Sequence, residues 1–187
     1  MTVDRVAREP SLHERNAGFT LLELMFTLIV AGLLLGIAVP GFFDTIRSNR
    51  AAANANEFVT ALSIGRSEAV RRSARVTLCP TRDGAGCNGT WTDRWVLFVD
   101  GATSDTGAPS FNAANVLREW TAPSGDAVIT TNPAGVTWVR FLPRGEARAN
   151  AAMPVVFNME INGCSGLEGR NVELNAVGRT RVERVAC

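Results

Sequence analysis

The chain opens polar, turns apolar at residue 19, and carries no charge from Leu24 to Phe43. That run of about 20 residues spans roughly 30 Å as a helix, the thickness of a bilayer's hydrocarbon core. Helical spacing persists beyond Pro40. Ala55, Phe58, Val59, Leu62, Ala69 and Val70 recur on one face, while Asn54, Asn56, Glu57, Arg66 and Arg71 fill the other. The pattern predicts one helix from about residue 19 to about residue 72. It should bend at Pro40, where a backbone donor is lost and the preceding turn is crowded. After Ser73 the period changes. RVTLCP, RWVLFVD, VLREWT, DAVITT, VTWVRFL, MPVVFNME, RNVELNAV and RTRVERVA alternate or are rich in β-branched and aromatic residues. Clusters of Gly, Pro, Asn and Asp separate them. A helix followed by strands predicts an α+β fold with mostly antiparallel pairing, a stalk joined to a head. The stretch DGATSDTGAPSFNAAN, residues 100–115, has the composition of an exposed, mobile loop. Trp91, Trp95, Trp120 and Trp138 are read as core, and Asn88-Gly89-Thr90 as a turn rather than a glycosylation acceptor.

Composition narrows the function classes. The 19 basic and 18 acidic residues nearly cancel, so no global field points to a polyanion. All the basic residues are arginine, the better side chain for bidentate phosphate contacts. There is no lysine, and the one histidine, His13, precedes the apolar run. Schiff-base chemistry, Ser-His-Asp triads and histidine metal sites are thereby excluded from the main domain, which argues against an enzyme; no cofactor or metal is expected. Four cysteines, Cys79, Cys87, Cys164 and Cys187, lie C-terminal to the apolar run and allow three pairings. The short spacing of CPTRDGAGC favours Cys79 with Cys87, leaving Cys164 with Cys187. A zinc site would show closer cysteine pairs. Disulfides place this part of the chain outside the cytoplasm.

The N-terminal stretch GFTLLELMFTLIV poses a problem, because Glu23 sits inside it. An acidic group in hydrocarbon costs about 2.5–3.5 kcal/mol on insertion scales and is by default a functional candidate. Cleavage after Gly18 would supply a partner, a new α-amino group on Phe19. Gly18-Phe19-Thr20-Leu21-Leu22-Glu23, after a polar leader and before a long apolar helix, resembles the class III signal of type IV prepilins and type II secretion pseudopilins. The resemblance implies that a prepilin peptidase cuts between Gly18 and Phe19 and methylates the Phe19 nitrogen. It further implies that Glu23 neutralises the N-terminus of a neighbouring pilin or pseudopilin, and that Pro40 is the helix-kinking proline. The implied organisation is a leader (1–18), a transmembrane and filament-core helix (19–43), and an amphipathic half-helix with a globular β head (44–187). Arg5, Arg8 and Arg15 in the leader, against Arg47 and Arg50 beyond the span, weakly favour a cytoplasmic N-terminus. That orientation makes the chain a single-pass inner-membrane protein with a periplasmic head.

The head resembles the GspH/FimT family through Gly65-Arg66-Ser67-Glu68-Ala69-Val70, VTLCP, WVLFVD and Gly178-Arg179-Thr180-Arg181. This implies the type IV pilin fold, a long helix packed on a C-terminal antiparallel sheet. It leaves two roles open, a minor pilin of a type IV pilus or a minor pseudopilin of type II secretion. FimT-like members that bind DNA in natural transformation carry a GRxR motif, which residues 178–181 match. Arg179 and Arg181 at period two would project from one strand face, with Arg170, Arg184, and from elsewhere Arg140, Arg144 and Arg148, adding to the patch. Such an array would hold the phosphates of double-stranded DNA without reading bases. The competing reading is a hairpin turn with solvated arginines, diluted by Glu173 and Glu183.

Overall fold

A computed structural model describes residues 18–187. Residues 1–17, with His13 and most of the expected leader, lie outside the described residues. The chain divides into two compact units, Met1–Pro40 and Gly41–Cys187. Helix α1 (Leu21–Arg72) contributes to both.

In the first unit Thr20 caps α1: its hydroxyl accepts a hydrogen bond from the Glu23 amide at 3.2 Å. That satisfies one of the donors a helix start leaves without partners. Thr20-Leu21-Leu22-Glu23 therefore has the spacing of a capping box, with Glu23 the third helical residue. The apolar side chains from Phe19 to Ile37 are exposed all around the helix. Pro40 lies within α1, but the side chains of residues 38–40, and the bend expected there, lie outside the described residues.

In the second unit α1 buries Ala51, Ala55, Phe58, Ala61, Leu62 and Ala69. Val70 and Asn54 depart from the sequence pattern, as does Arg66, described below. Val70 is 50% exposed, whereas Asn54 turns inward. The Asn54 amide donates to the Ser124 carbonyl and accepts from the Ser124 amide and hydroxyl, each at 3.1 Å. A loop packed on a helix must satisfy its backbone groups, and a buried amide side chain does so where an apolar one cannot.

Nine strands follow among the described residues: β1 (Val76–Thr81), β2 (Arg94–Val99), β3 (Val116–Trp120), β4 (Ala127–Asn132), β5 (Val139–Phe141), β6 (Ala147–Ala149), β7 (Val155–Ile161), β8 (Gly169–Leu174) and β9 (Thr180–Val185). Eight correspond to the expected segments. The three-residue β6, ARA, is too short to define a period, and its pairing with β5 sets its register. All pairings are antiparallel, in two sheets ordered β3-β2-β1-β5-β6 and β4-β7-β8-β9.

Phe58 joins the two sheets. Its ring meets Trp95 of β2 at 4.9 Å and Phe157 of β7 at 4.6 Å, both edge-on, the geometry aromatic quadrupoles favour. Gly65 lets α1 close on the first sheet, since a Cβ there would stand 3.0 Å from Phe141 and 3.1 Å from Leu97. All four tryptophans are buried.

The first sheet is covered on both faces, which explains why every residue of β1 is buried. Val76, Leu78, Trp95 and Leu97 join the main core. Cys79, Val96 and Phe98 pack on the other side with Trp138, Phe111 and Val116. The cover comes from residues 100–115, the segment expected to be a mobile loop. Arg140 ties it down from beneath. The Arg140 guanidinium, fully buried, pairs with Asp100 at 2.6 Å and donates to the carbonyls of Ser104, Asp105 and Gly107 at 2.9–3.0 Å. It also lies over the Trp138 ring at 4.6 Å. The Asp100 carboxylate in turn accepts from the Thr77 hydroxyl and the amides of Ala102 and Ser110. Arg140 is thus a core residue, not part of a surface patch. Desolvation pushes the Asp100 carboxyl up, and the hydrogen bonds from Thr77, Ser110, Ala102 and Arg140 outweigh it, leaving its pKa below the ordinary value.

Cys79 is bonded to Cys87, and Cys164 to Cys187. The Asn88 amide donates to Asp83 at 2.8 Å and accepts from the Arg82 backbone at 2.9 Å, so it serves the turn.

Candidate functional site

Gly178 and Arg179 lie in the connection between β8 and β9, and Thr180 and Arg181 open β9. Asn175 shapes the turn: its side chain accepts from the Arg179 amide at 2.9 Å and its carbonyl from the Gly178 amide at 2.9 Å. Gly178 has φ +77° and is buried, and a Cβ on it would stand 2.1 Å from the Gly145 carbonyl oxygen. The glycine of the motif is required by this close approach of two turns.

Arg66, on α1, clamps both turns. Its Nε donates to the Gly145 carbonyl at 3.1 Å and its Nη2 to the Val177 carbonyl at 3.2 Å. Sequence reasoning placed Arg66 on the solvated helix face. The only available signal was its place in the GRSEAV wording.

An open groove of about 610 Å³ runs between α1 and this turn, lined by Leu62, Arg66, Val70, Arg71, Arg179 and Thr180 among others. Arg179 is exposed at its rim. Arg71 stands opposite on α1 and, with Arg72, binds Glu68, which lowers the Glu68 pKa. Arg144, also exposed, sits on the turn packed against Gly178.

The structure separates the remaining arginines. β9 begins at Thr180, so Arg179 and Arg181 do not share a strand face; Arg179 belongs to the turn. Arg181 pairs with Glu173 across β8 and forms a 2.5 Å ion pair with Glu183. Arg170 and Arg184 face each other across β8 and β9, one residue out of phase with Arg181, so they project to the opposite side of the sheet. There both reach the Ser48 hydroxyl on α1, at 3.2 and 3.5 Å. Arg148 pairs with Glu146. Period two in a single strand predicted one patch, but the turn and the β8–β9 register divide it.

Residues 54–178 match the family model of the type II transport protein GspH, and residues 14–39 match the prokaryotic N-terminal methylation motif. The pilin-like protein PilA1 of Thermus thermophilus is 31% identical over 175 residues, covering 89% of this chain and 97% of its own length. Crystal structures of the type IV minor pilin FimU of Pseudomonas aeruginosa superpose with TM-scores of 0.54 and 0.50 at 20% identity. They cover 72% and 71% of this chain, and 89% and 91% of FimU. At that identity the likeness carries the fold, an α+β pilin fold with its long N-terminal helix and antiparallel sheets. With the GspH model spanning most of the head and the methylation motif lying across the exposed apolar helix, this chain belongs to the GspH family of pilin-like proteins.

Proposed function

We propose that this chain is a minor pilin of a type IV pilus, held first in the inner membrane with its head in the periplasm and then drawn into the filament by α1. One observation carries the reading: the apolar side chains from Phe19 to Ile37 are exposed on every side of the helix. Such a surface needs lipid before assembly and neighbouring helices after it. A prepilin peptidase cuts between Gly18 and Phe19, and methylation leaves the new amine positive. Glu23 of one subunit meets that amine on a neighbour, and charge pairing in low dielectric fixes axial register. The task is structural rather than catalytic. The GspH family model itself favours a second reading, a type II secretion pseudopilin. Neighbouring pilus-assembly genes support the first reading and secretion genes the second.

The head adds sequence-tolerant binding of double-stranded DNA, as used in natural transformation, with Arg179 the principal phosphate contact. Arg179 has no ion-pair partner among the described residues, whereas Arg181 is paired with Glu183. The test is a titration of the full chain in non-ionic detergent with a DNA duplex at several salt concentrations. Affinity should fall with a log–log slope of about −2 to −3, for two or three phosphate contacts. Arg179→Gln should weaken binding more than Arg181→Gln. No binding at low salt, or binding indifferent to both changes, ends the DNA reading and leaves the assembly reading standing.

A further inference from the structure

Arg170 and Arg184, separated from the Arg179 turn, pose a question of their own. Two guanidiniums converge on one hydroxyl, Ser48 Oγ, and neither has a carboxylate within ion-pair distance among the described residues. Arg170 also donates to the carbonyls of Glu168 and Gly169, and Arg184 to that of Leu167 at 2.5 Å. A guanidinium carries more N–H donors than either uses in these bonds. Burial first, and then the charge of Arg184, lower the pKa of Arg170. Two like charges crowd each other here, and an anion between them would relieve both.

The surroundings say which anion. The arginines line a cavity of about 580 Å³ with Thr45, Ser48, Asn49 and Ser165. Two carboxylates also line it. Asp44 is paired with Arg47 at 3.3 Å, and Glu168 accepts from the Ser165 amide at 3.1 Å. Their negative charge disfavours a dianion such as free phosphate and admits a singly charged phosphodiester. Position narrows the choice again. Ser48 lies five residues along α1 from Phe43, where the uncharged run ends. Phe42 and Phe43 are 65% and 54% exposed, and Leu167, on the cavity wall, is 59% exposed. Apolar side chains beside a basic pocket at the end of a membrane-spanning run are what a lipid's glycerol region and headgroup require together.

We infer that Arg170, Arg184 and Ser48 bind the phosphodiester of an anionic phospholipid headgroup at the foot of the head while the subunit is anchored in the membrane. Both guanidiniums donate to the non-bridging oxygens, and Ser48 supplies a third donor. Lipid release then accompanies extraction into a filament, since Ser48 lies only five residues along α1 from the uncharged run that leaves the bilayer.

Native mass spectrometry of the full chain in non-ionic detergent tests this, with phosphatidylglycerol, phosphatidylcholine and inorganic phosphate as separate additions. One phosphatidylglycerol per chain should be retained, and phosphatidylcholine much less. Arg170→Gln and Arg184→Gln should each lower retention at least about tenfold, the order of one charge-assisted contact. Arg181→Gln should leave it unchanged. Because both arginines also hold the 167–169 backbone, Ser165→Asp provides an independent arm. It adds a negative charge to the exposed cavity rim without removing an arginine bond, and it should also abolish retention. Equal retention of the two lipids, retention by Ser165→Asp, or displacement of lipid by millimolar inorganic phosphate would each overturn the proposal.

Discussion

At the scale of single residues, the arginines divide by environment more than by sequence position. Arg140 is the extreme case, a guanidinium with no exposed surface that pairs with an equally buried Asp100 and organises a 100–115 loop of polar composition. Breaking a buried pair by removing one partner costs about 3–5 kcal/mol, because the other charge is left unpaired. Arg140→Met should therefore destabilise the head by that order. Amide hydrogen exchange should accelerate at Ala102 and Ser110, whose N–H groups are held by Asp100. The acid response gives a second readout. The Asp100 pKa is lowered in the folded chain. Its stabilising contribution is fully present above the unfolded carboxylate value, about 3.9, and is lost as pH falls through the lower folded value. Glu68, Asp83 and Asp93 are shifted in the same direction, so the total acid sensitivity is shared. The comparison that isolates Asp100 is Asp100→Asn, whose unfolding midpoint should fall less steeply below about pH 4 than that of the parent chain. Parallel curves would deny the carboxylate this role.

At the scale of elements, the Gly178 turn shows how much of a motif belongs to folding. An alanine there would carry positive φ and drive its Cβ to 2.1 Å from the Gly145 oxygen. The left-handed backbone costs about 1–2 kcal/mol and overpacking about 1–3 more. Gly135 is the internal control, with φ +80° and no atom within 4 Å of a Cβ. Gly178→Ala should lower the urea midpoint well beyond Gly135→Ala; equal losses would mean that the two turns do not press together. The same turn marks what the sequence made legible. Eight strands and the long helix were readable because each carries its own period. β6 was not, since three residues define no period and its partner β5 supplies its register. The inward Asn54 and the clamping Arg66 were assigned to solvent because a helical wheel records polarity and not the carbonyls of an approaching loop. The basic patch divided for a similar reason: spacing within β9 was readable, but not where the strand begins. The Cys79–Cys87 bond was legible from spacing alone, and it left Cys164 only Cys187.

At the scale of the whole chain, two units answer to different surroundings. The head, Gly41–Cys187, closes its own core and carries both disulfides, whereas the first unit buries none of its described apolar side chains. From Phe19 to Phe43 the sequence carries one charged side chain, Glu23. Two roles compete for it. As the third residue of a helix capped by Thr20, it can serve as the acidic member of a capping box and complement the helix dipole. As a charge in an assembled core, it can pair with the methylated amine of a neighbour. The substitutions separate them, because glutamine fits a capping box as glutamate does but carries no charge. Under the assembly role, Glu23→Gln and Glu23→Ala should both be cleaved by the peptidase, and both should be depleted from sheared filaments relative to the processed pool in the membrane. Under the capping role alone, Glu23→Gln should enter filaments as the parent does and only Glu23→Ala should be depleted. Immunoblots of sheared and membrane fractions, normalised to processed subunit, distinguish the two. Depletion of the glutamine variant is the expected result, since a helix cap contributes about 1 kcal/mol, whereas an unpaired ammonium in a filament core costs several.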